Sequence, residues 1–375
     1  MLAWRDLKHP QKGGAEVVTD IYLKGLKQLG HEATLFTSRY PGSEEKDNIN
    51  GYNVIRKGNK LSVSLHGLIY AKKHEKEFDI IIEQINTLPF LTPLLISKDK
   101  RVLFSHQLCK NVWFYEMPFP LSYIGYAIES LYLKFYKNTR AFTVSNSSKQ
   151  DLIKYAKISQ NNILVLDNQI DFKQIKENQI KQKENYIIFC GRLNKSKRPD
   201  EVIKALTIFL SNVNNKGEQS SSSNKSASNL KLIVIGTGSE KYKQYLLNLT
   251  KKLNIGNRVH FTGSISNQER NKIMQKALAI IVTSIREGWG LIVTEANANG
   301  TLAITYDIEG LRDANNNSIG FITKENTPEA IAECMGTITS NPKIRKDKEL
   351  KALKFANAHS NWNKQVRRLE EWLRQ

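Results

Sequence analysis

The sequence predicts an α/β protein of two domains, each built on a parallel sheet, and three observations carry the prediction. Its 375 residues exceed the size at which a single hydrophobic core stops growing. Short apolar runs alternate with amphipathic segments, the pattern of strand–helix–strand units that build parallel sheets. That alternation runs through once, is broken by a polar stretch, and runs through again.

In the first half the strands are HEATLFTS, YNVIRK, DIIIEQ, RVLFSH and RAFTVS. Ahead of them Met1 to Trp4 reads as a first strand, so short that it suggests a truncated or misassigned start. Ala15, Val18, Tyr22, Leu26 and Leu29 recur at helical spacing, and Gly30 stops that helix. The polar, Lys- and Gln-rich stretch from Asp171 to Glu184 reads as a linker. Beyond it YIIFCG, KLIVIG, RVHFTG, LAIIVTS and LAITYD are the strands of a second sheet, with helical patterns at Glu201 to Phe209 and Lys241 to Leu253. The segment Ser211 to Asn229 is too rich in Ser and Asn to offset the entropy of ordering and reads as a disordered surface insertion. Trp362, Val366, Leu369 and Leu373 mark a final helix that needs an apolar surface. The expected division is residues 1–170 with a C-terminal helix at 360–375, against 171–359.

Composition narrows the function classes. The formal charge is +20, but it is spread: 23 Lys and Arg against 16 acids up to Ile170, and 33 against 20 after it. A dedicated nucleic-acid binder gathers its charge on one face or in one run, so no nucleic-acid partner is expected. Cys109, Cys190 and Cys334 lie far apart without a CxxC pair, which fits a reducing, cytoplasmic setting and gives no zinc site. No run approaches the roughly 18 apolar residues of a membrane span, and the N-terminus enters Trp4, Arg5 and Asp6 rather than a signal-peptide core.

The strongest chemical signal is REGWGLIVTE, where Glu287 and Glu295 bracket a glycine turn directly after a strand. Glycines at 288 and 290 permit close backbone approach, and the amides at Gly290 and Leu291, opening the next helix, form a ready anion site. Amides for charge and carboxylates for hydroxyls suit a phosphate-linked sugar. A loop acid beside a solvated helix acid is the plain alternative. In FCGRLNKSKRPDEVIKAL a strand ends at Gly191 and a helix begins near Pro199, so Arg192 and Lys197 reach a ligand at the carboxyl edge of the sheet. Two fixed cations suit a departing diphosphate. Basic loop residues are otherwise usually solvated.

Three weaker elements follow. HPQKGGAE places Gly13 and Gly14 before a helix, permitting close approach of a substrate. His106 closes the strand RVLFSH and projects from the top of the first sheet. KLIVIGTGSE sets Gly236 and Gly238 after a strand, but lacks the third glycine of a dinucleotide fingerprint. Phe261 in RVHFTG reads first as packing. The chain contains no Asp-x-Asp motif, so neither a divalent metal nor any other cofactor is expected.

The Glu-x7-Glu element followed by ANANGTLAITYD resembles the signature of the family 4 (group 1) retaining glycosyltransferases, and the resemblance extends over nearly the whole chain. It implies the GT-B fold, two Rossmann-like domains with parallel sheets facing a central cleft, and transfer from a nucleotide-diphosphate sugar. By resemblance Glu295 bonds the ribose, Glu287 contacts the donor sugar, and Arg192 and Lys197 stabilise the leaving diphosphate. The Gly13–Gly14 loop covers the donor phosphates, His106 lies near donor sugar and acceptor, and the turns holding Gly236, Gly238 and Phe261 line the nucleotide pocket. A glycan, a lipid-linked or a small-molecule acceptor fits equally. A nucleotide-sugar epimerase or a phosphorylase of the same fold, and a nucleic-acid binder on a Rossmann scaffold, are the alternatives.

From Val112 to Tyr136 the chain is rich in aromatics but interrupted by Glu116, Pro118, Pro120, Glu129 and Lys134. A helix buried in the first domain is the preferred reading. The competing one is an interfacial element in peripheral contact with anionic membrane on its cytoplasmic face.

Overall fold

The computed structural model describes residues 1–85, 87–169, 175–216 and 227–375. Internal contacts divide them into two units, Met1–Asn168 with Asn361–Gln375, and Gln169–Ser360.

In the first unit β1 (Thr34–Thr37), β2 (Lys46–Ile49) and β3 (Tyr52–Arg56) form one sheet, and β4 (Ile81–Ile85), β5 (Arg101–Ser105), β6 (Arg140–Thr143) and β7 (Ile163–Val165) a parallel one. Leu2 joins the two, forming parallel bridges to Phe36 of β1 and Glu83 of β4. The expected first strand is thus a single bridging residue, although its backbone still bonds both neighbours, Leu2 N to Ile82 O at 2.8 Å and Phe36 N to Met1 O at 2.8 Å. The sequence patterns did not mark β2. Its KDNI sequence is polar but for the buried Ile49, and it is held antiparallel to β3 with the help of charge: Arg56, fully buried, bonds Asp6 at 2.6 Å and Asp47 at 3.0 Å.

Helix α1 (Gly14–Gln28) carries Tyr22 into the core, edge-on to Phe104 and Phe142 with centroids 5.9 Å from each. The C-terminal helix, Trp362–Leu373, lies on α1. Trp362, Val366 and Leu369 are buried, and Gly25 makes room, since a Cβ there would meet Val366 at 2.6 Å.

Helices α2 (Val63–Lys73), α3 (Val112–Glu116), α4 (Leu121–Tyr132) and α5 (Asn146–Asp151) complete this unit. The aromatic stretch departs from its preferred reading. Helix α4 buries Ser122, Gly125, Glu129 and Tyr132 and turns most of its large apolar residues outward. The cause is Glu129, whose carboxylate accepts the amides of Cys109 and Lys110, each at 2.7 Å, and Trp113 Nε1 at 3.3 Å. A carboxylate so engaged fixes the polar face inward, and Gly125 lets the Trp113 ring lie against it. Among the described residues no helix is long and apolar enough to cross a membrane.

The second unit is one six-stranded parallel sheet of β8 (Tyr186–Cys190), β9 (Lys231–Ile235), β10 (Val259–Gly263), β11 (Ile280–Val282), β12 (Ala303–Thr305) and β13 (Phe321–Ile322). The order is β10-β9-β8-β11-β12-β13. The chain therefore builds outward from β8 in one direction, then returns to β11 and builds outward in the other, so β8 and β11 flank a topological switch point. Helices α6 (Pro199–Lys216), α7 (Glu240–Lys252), α8 (Asn267–Lys276), α9 (Leu291–Ala298), α10 (Glu309–Ala314), α11 (Pro328–Ser340) and α12 (Pro342–Ala358) connect the strands and follow the last.

Two expectations about polar segments change. The insertion expected from Ser211 begins later, because α6 continues to Lys216; residues 217–226 lie outside the described ones, and Asn229 accepts from Arg258 at 2.9 Å. The expected linker begins within residues 170–174, which also lie outside. Its remainder is anchored on the second unit: Lys183 Nζ donates to Gln275 O (3.0 Å), Gly300 O (2.7 Å) and Thr301 Oγ1 (2.8 Å). Burial lowers this ammonium to about 8, and the three acceptors replace the water it lost.

Candidate functional site

Because β8 and β11 are neighbours, the loops at their carboxyl ends emerge side by side. The first runs from Gly191 to Arg198. Its start is tied to the loop after β9: Gly191 N donates to Ile235 O at 3.0 Å and Leu193 N to Thr237 O at 2.8 Å. This close approach is what Gly236 and Gly238 permit. A Cβ on Gly236, whose φ is +138°, would lie 1.9 Å from Gly191 O, and one on Gly238 2.0 Å from Leu193 O. Both glycines thus have a packing role ahead of any ligand contact. Phe261 packs against the core of the unit.

The loop after β11 grips the first one. Thr283 Oγ1 donates to Lys197 O (2.9 Å) and Arg198 O (2.8 Å), and Ile285 N to Ser196 O at 2.9 Å. The side chains then meet: Lys197 Nζ pairs with Glu287 Oε1, which also accepts Ser284 Oγ at 2.7 Å. Lys197 is 31% exposed and Glu287 15%. Arg192, at the mouth of the same loop, is exposed and has no side-chain partner among the described residues.

Helix α9 starts where expected. Gly290 is its N-cap with φ +92°, a conformation that favours glycine, and it carries no side-chain cap, so the amides of Leu291 and Ile292 open the helix uncapped. Glu287 precedes this turn and Glu295 follows it. Glu295 Oε2 stands 2.9 Å from Arg270 Nη2 of α8 without the alignment of a hydrogen bond. Burial raises the Glu295 carboxyl and the charge of Arg270 opposes the shift.

Three residues here escaped the sequence reading. Trp289 is buried and its Nε1 bonds Thr294 Oγ1 at 2.9 Å, fastening the glycine turn to the helix behind it. Gly310 lets α10 press on the turn, since a Cβ there would fall 1.9 Å from Glu287 O. Arg270 pairs with Glu295. A Trp between two glycines and a Gly in the first turn of a short helix were available signals; Arg270 had none, because the pairing joins two separate helices.

The remaining expected residues belong to the first unit. His106 ends up buried beyond β5, its Nε2 2.6 Å from Gln84 Nε2, which also bonds Thr19 Oγ1 at 2.7 Å. Burial holds the imidazole down at about 3, so it is neutral at pH 7. Gln84 lies in the run DIIIEQ, which reads as a strand and nothing more. Gly13 and Gly14 open α1 as expected, but the Gly13 amide is already taken by Glu16 at 2.6 Å. Among the described residues no three His, Cys, Asp or Glu side chains gather as a metal site.

The chain is similar to known glycosyltransferases. Residues 171–354 match the family described as glycosyl transferases group 1, and residues 12–174 match glycosyltransferase family 4. An uncharacterized glycosyltransferase of Methanocaldococcus jannaschii is 23% identical over 362 residues, covering 88% of this chain and 86% of that one. A glycosyltransferase from Rickettsia africae superposes with a TM-score of 0.72 at 18% identity, over 99% of this chain and 96% of that one. HepE of Anabaena, solved with UDP-glucose, does so with 0.71 at 15% identity, over 99% and 98%.

Proposed function

The chain belongs to the group 1, family 4 glycosyltransferases of GT-B fold, and on that premise we propose that it moves a sugar from a nucleotide-diphosphate donor to a glycan, lipid-linked or small-molecule acceptor, with retention and without a metal. The observation that carries the reading is the Lys197–Glu287 pair beside the uncapped start of α9, at the switch point of the second sheet. A cation, amides and a carboxylate meet there, as a sugar diphosphate requires.

In this reading residues 171–359 hold the donor, and residues 1–170 with 360–375 serve the acceptor. The diphosphate lies against Arg192, Lys197 and the amides of Gly290 and Leu291. Glu287 accepts a hydroxyl of the donor sugar, Glu295 the ribose hydroxyls, and the turns of Gly236, Gly238 and Phe261 border the nucleotide. As the bond from the anomeric carbon to the phosphate oxygen breaks, negative charge grows on the diphosphate, and preorganised cations and amides favour that state over the ground state. The acceptor oxygen bonds the anomeric carbon from the same face, and its proton passes to the departing phosphate. Within the first unit His106, neutral, offers a bound substrate a hydrogen bond rather than a charge, and the Gly13–Gly14 turn offers close backbone approach at the start of α1.

The three cysteines are free thiols, which supports a cytoplasmic setting, peripheral to the membrane's cytoplasmic face where the acceptor is lipid-linked. The test is a panel of nucleotide sugars and acceptors. Nucleoside diphosphate released only when acceptor is present supports transfer; acceptor-independent turnover of the sugar overturns it.

A further inference from the structure

Helix α4 has its amphipathy reversed, burying Ser122, Gly125 and Glu129 while Leu121, Ile124, Ile128 and Leu131 lie exposed along one face. Phe119 before the helix is 81% exposed, and Phe135 in the turn after it 48%. A water-facing helix surface normally carries charge, yet α4 holds a single charged residue, Glu129, and that one is buried and bonded.

The charges sit around this face and are of one sign. Lys134 and Lys137 follow the helix directly, and Lys154 and Lys157 belong to the turn that packs on Leu133–Tyr136. All four are exposed, and none is ion-paired among the described residues. Lys110 ties the two parts together, its Nζ 3.6 Å from the Tyr155 ring centroid and 5.3 Å from that of Tyr126. From Lys110 to Lys157 the chain has seven Lys or Arg against three acids, Glu116, Glu129 and Asp151.

We propose that this face is a membrane-docking surface: the outward residues of α4, with Phe119 and Phe135, enter the acyl boundary of a bilayer while Lys134, Lys137, Lys154 and Lys157 pair with anionic headgroups. An apolar stripe flanked by unpaired cations fits a surface that is itself apolar within and anionic at its rim. A second copy of this chain would set lysine against lysine. The proposal rests on the peripheral placement above and names its surface and its lipid chemistry.

The test is co-sedimentation of the full chain with vesicles of phosphatidylcholine alone and of phosphatidylcholine with phosphatidylglycerol. The wild type is expected to bind the anionic vesicles and lose that binding progressively with salt. Ile124→Glu with Ile128→Glu should weaken it by about tenfold or more, as should Lys134→Glu with Lys137→Glu. Both pairs are exposed, and an unchanged circular-dichroism spectrum and thermal unfolding midpoint of the same preparations show that each variant is folded, while nucleoside-diphosphate binding reports on the transferase reading separately. Anionic-vesicle binding that the α4 variants leave intact would overturn the assignment of this surface, and no binding to either vesicle would overturn the placement with it. A wild-type dimer in sedimentation equilibrium that Ile124→Glu dissociates would also overturn the proposal, making the face a contact between copies.

Discussion

Glu287 Oε1 accepts from Ser284 Oγ at 2.7 Å and also receives the ammonium of Lys197, a residue ninety positions earlier in the chain. The pair is a placeholder in the proposed mechanism. In that mechanism the donor diphosphate would draw Lys197 away and leave the Glu287 carboxylate for a sugar hydroxyl. One contact thereby holds both groups in position before substrate arrives, which limits the side-chain ordering that binding must impose.

Lys197→Ala is therefore expected to raise the dissociation constant for nucleoside diphosphate by about tenfold, the scale of one charge-assisted hydrogen bond at a partly exposed site. Titration calorimetry measures it. Undiminished affinity in this variant and in Glu295→Ala would remove the site assignment.

Glu295→Ala should erase discrimination at the ribose. The wild type is expected to bind a nucleoside diphosphate about tenfold or more tightly than its 2′,3′-dideoxy counterpart, and the variant to bind the two alike. Competition against a fluorescent nucleotide reads the ratio.

Gly236→Ala and Gly238→Ala should each cost about 2 kcal/mol or more, because the new Cβ meets backbone carbonyls that have no room to move. Gly256→Ala, where a Cβ meets nothing within 4 Å, is the control. Urea denaturation compares them, and loss of nucleotide binding should accompany loss of stability only in the first two.

His106 gives a pH dependence with a defined sign. Its folded value, about 3, lies below the ordinary 6.5, so the unfolded chain binds the extra proton first. The associated stability is present above about 6.5 and lost as pH falls from there toward 3. His106→Gln should flatten that part of the profile relative to wild type, measured by urea midpoints between those limits. An unchanged slope would show that the imidazole is not buried neutral.

Much of this was legible in local patterns. The ten interior strand runs appear as strands, Gly30 ends α1, and α9 begins at the glycine turn of REGWGLIVTE, because apolar periodicity and glycine stops act over a few residues. The hairpin strand Lys46–Ile49 was not legible, since its place depends on buried Arg56 reaching Asp6 and Asp47. The orientation of α4 was misread for a similar reason. Its apolar spacing is helical, but which face turns inward was decided by the amides of Cys109 and Lys110 meeting Glu129, a distant-partner effect invisible to periodicity.

By itself the sequence determined the strand and helix alphabet, the twofold repeat of the α/β pattern, and the residue types able to hold a sugar diphosphate, because these follow from side-chain chemistry and short-range spacing. Tertiary structure decided which of them meet. Strand order sets β8 beside β11, carbonyl clearance calls for glycine at Gly236, Gly238 and Gly310, and burial sets the charge state of His106. Each depends on how closely remote segments approach, and distance between remote segments is a property of packing, not of the order of residues along the chain.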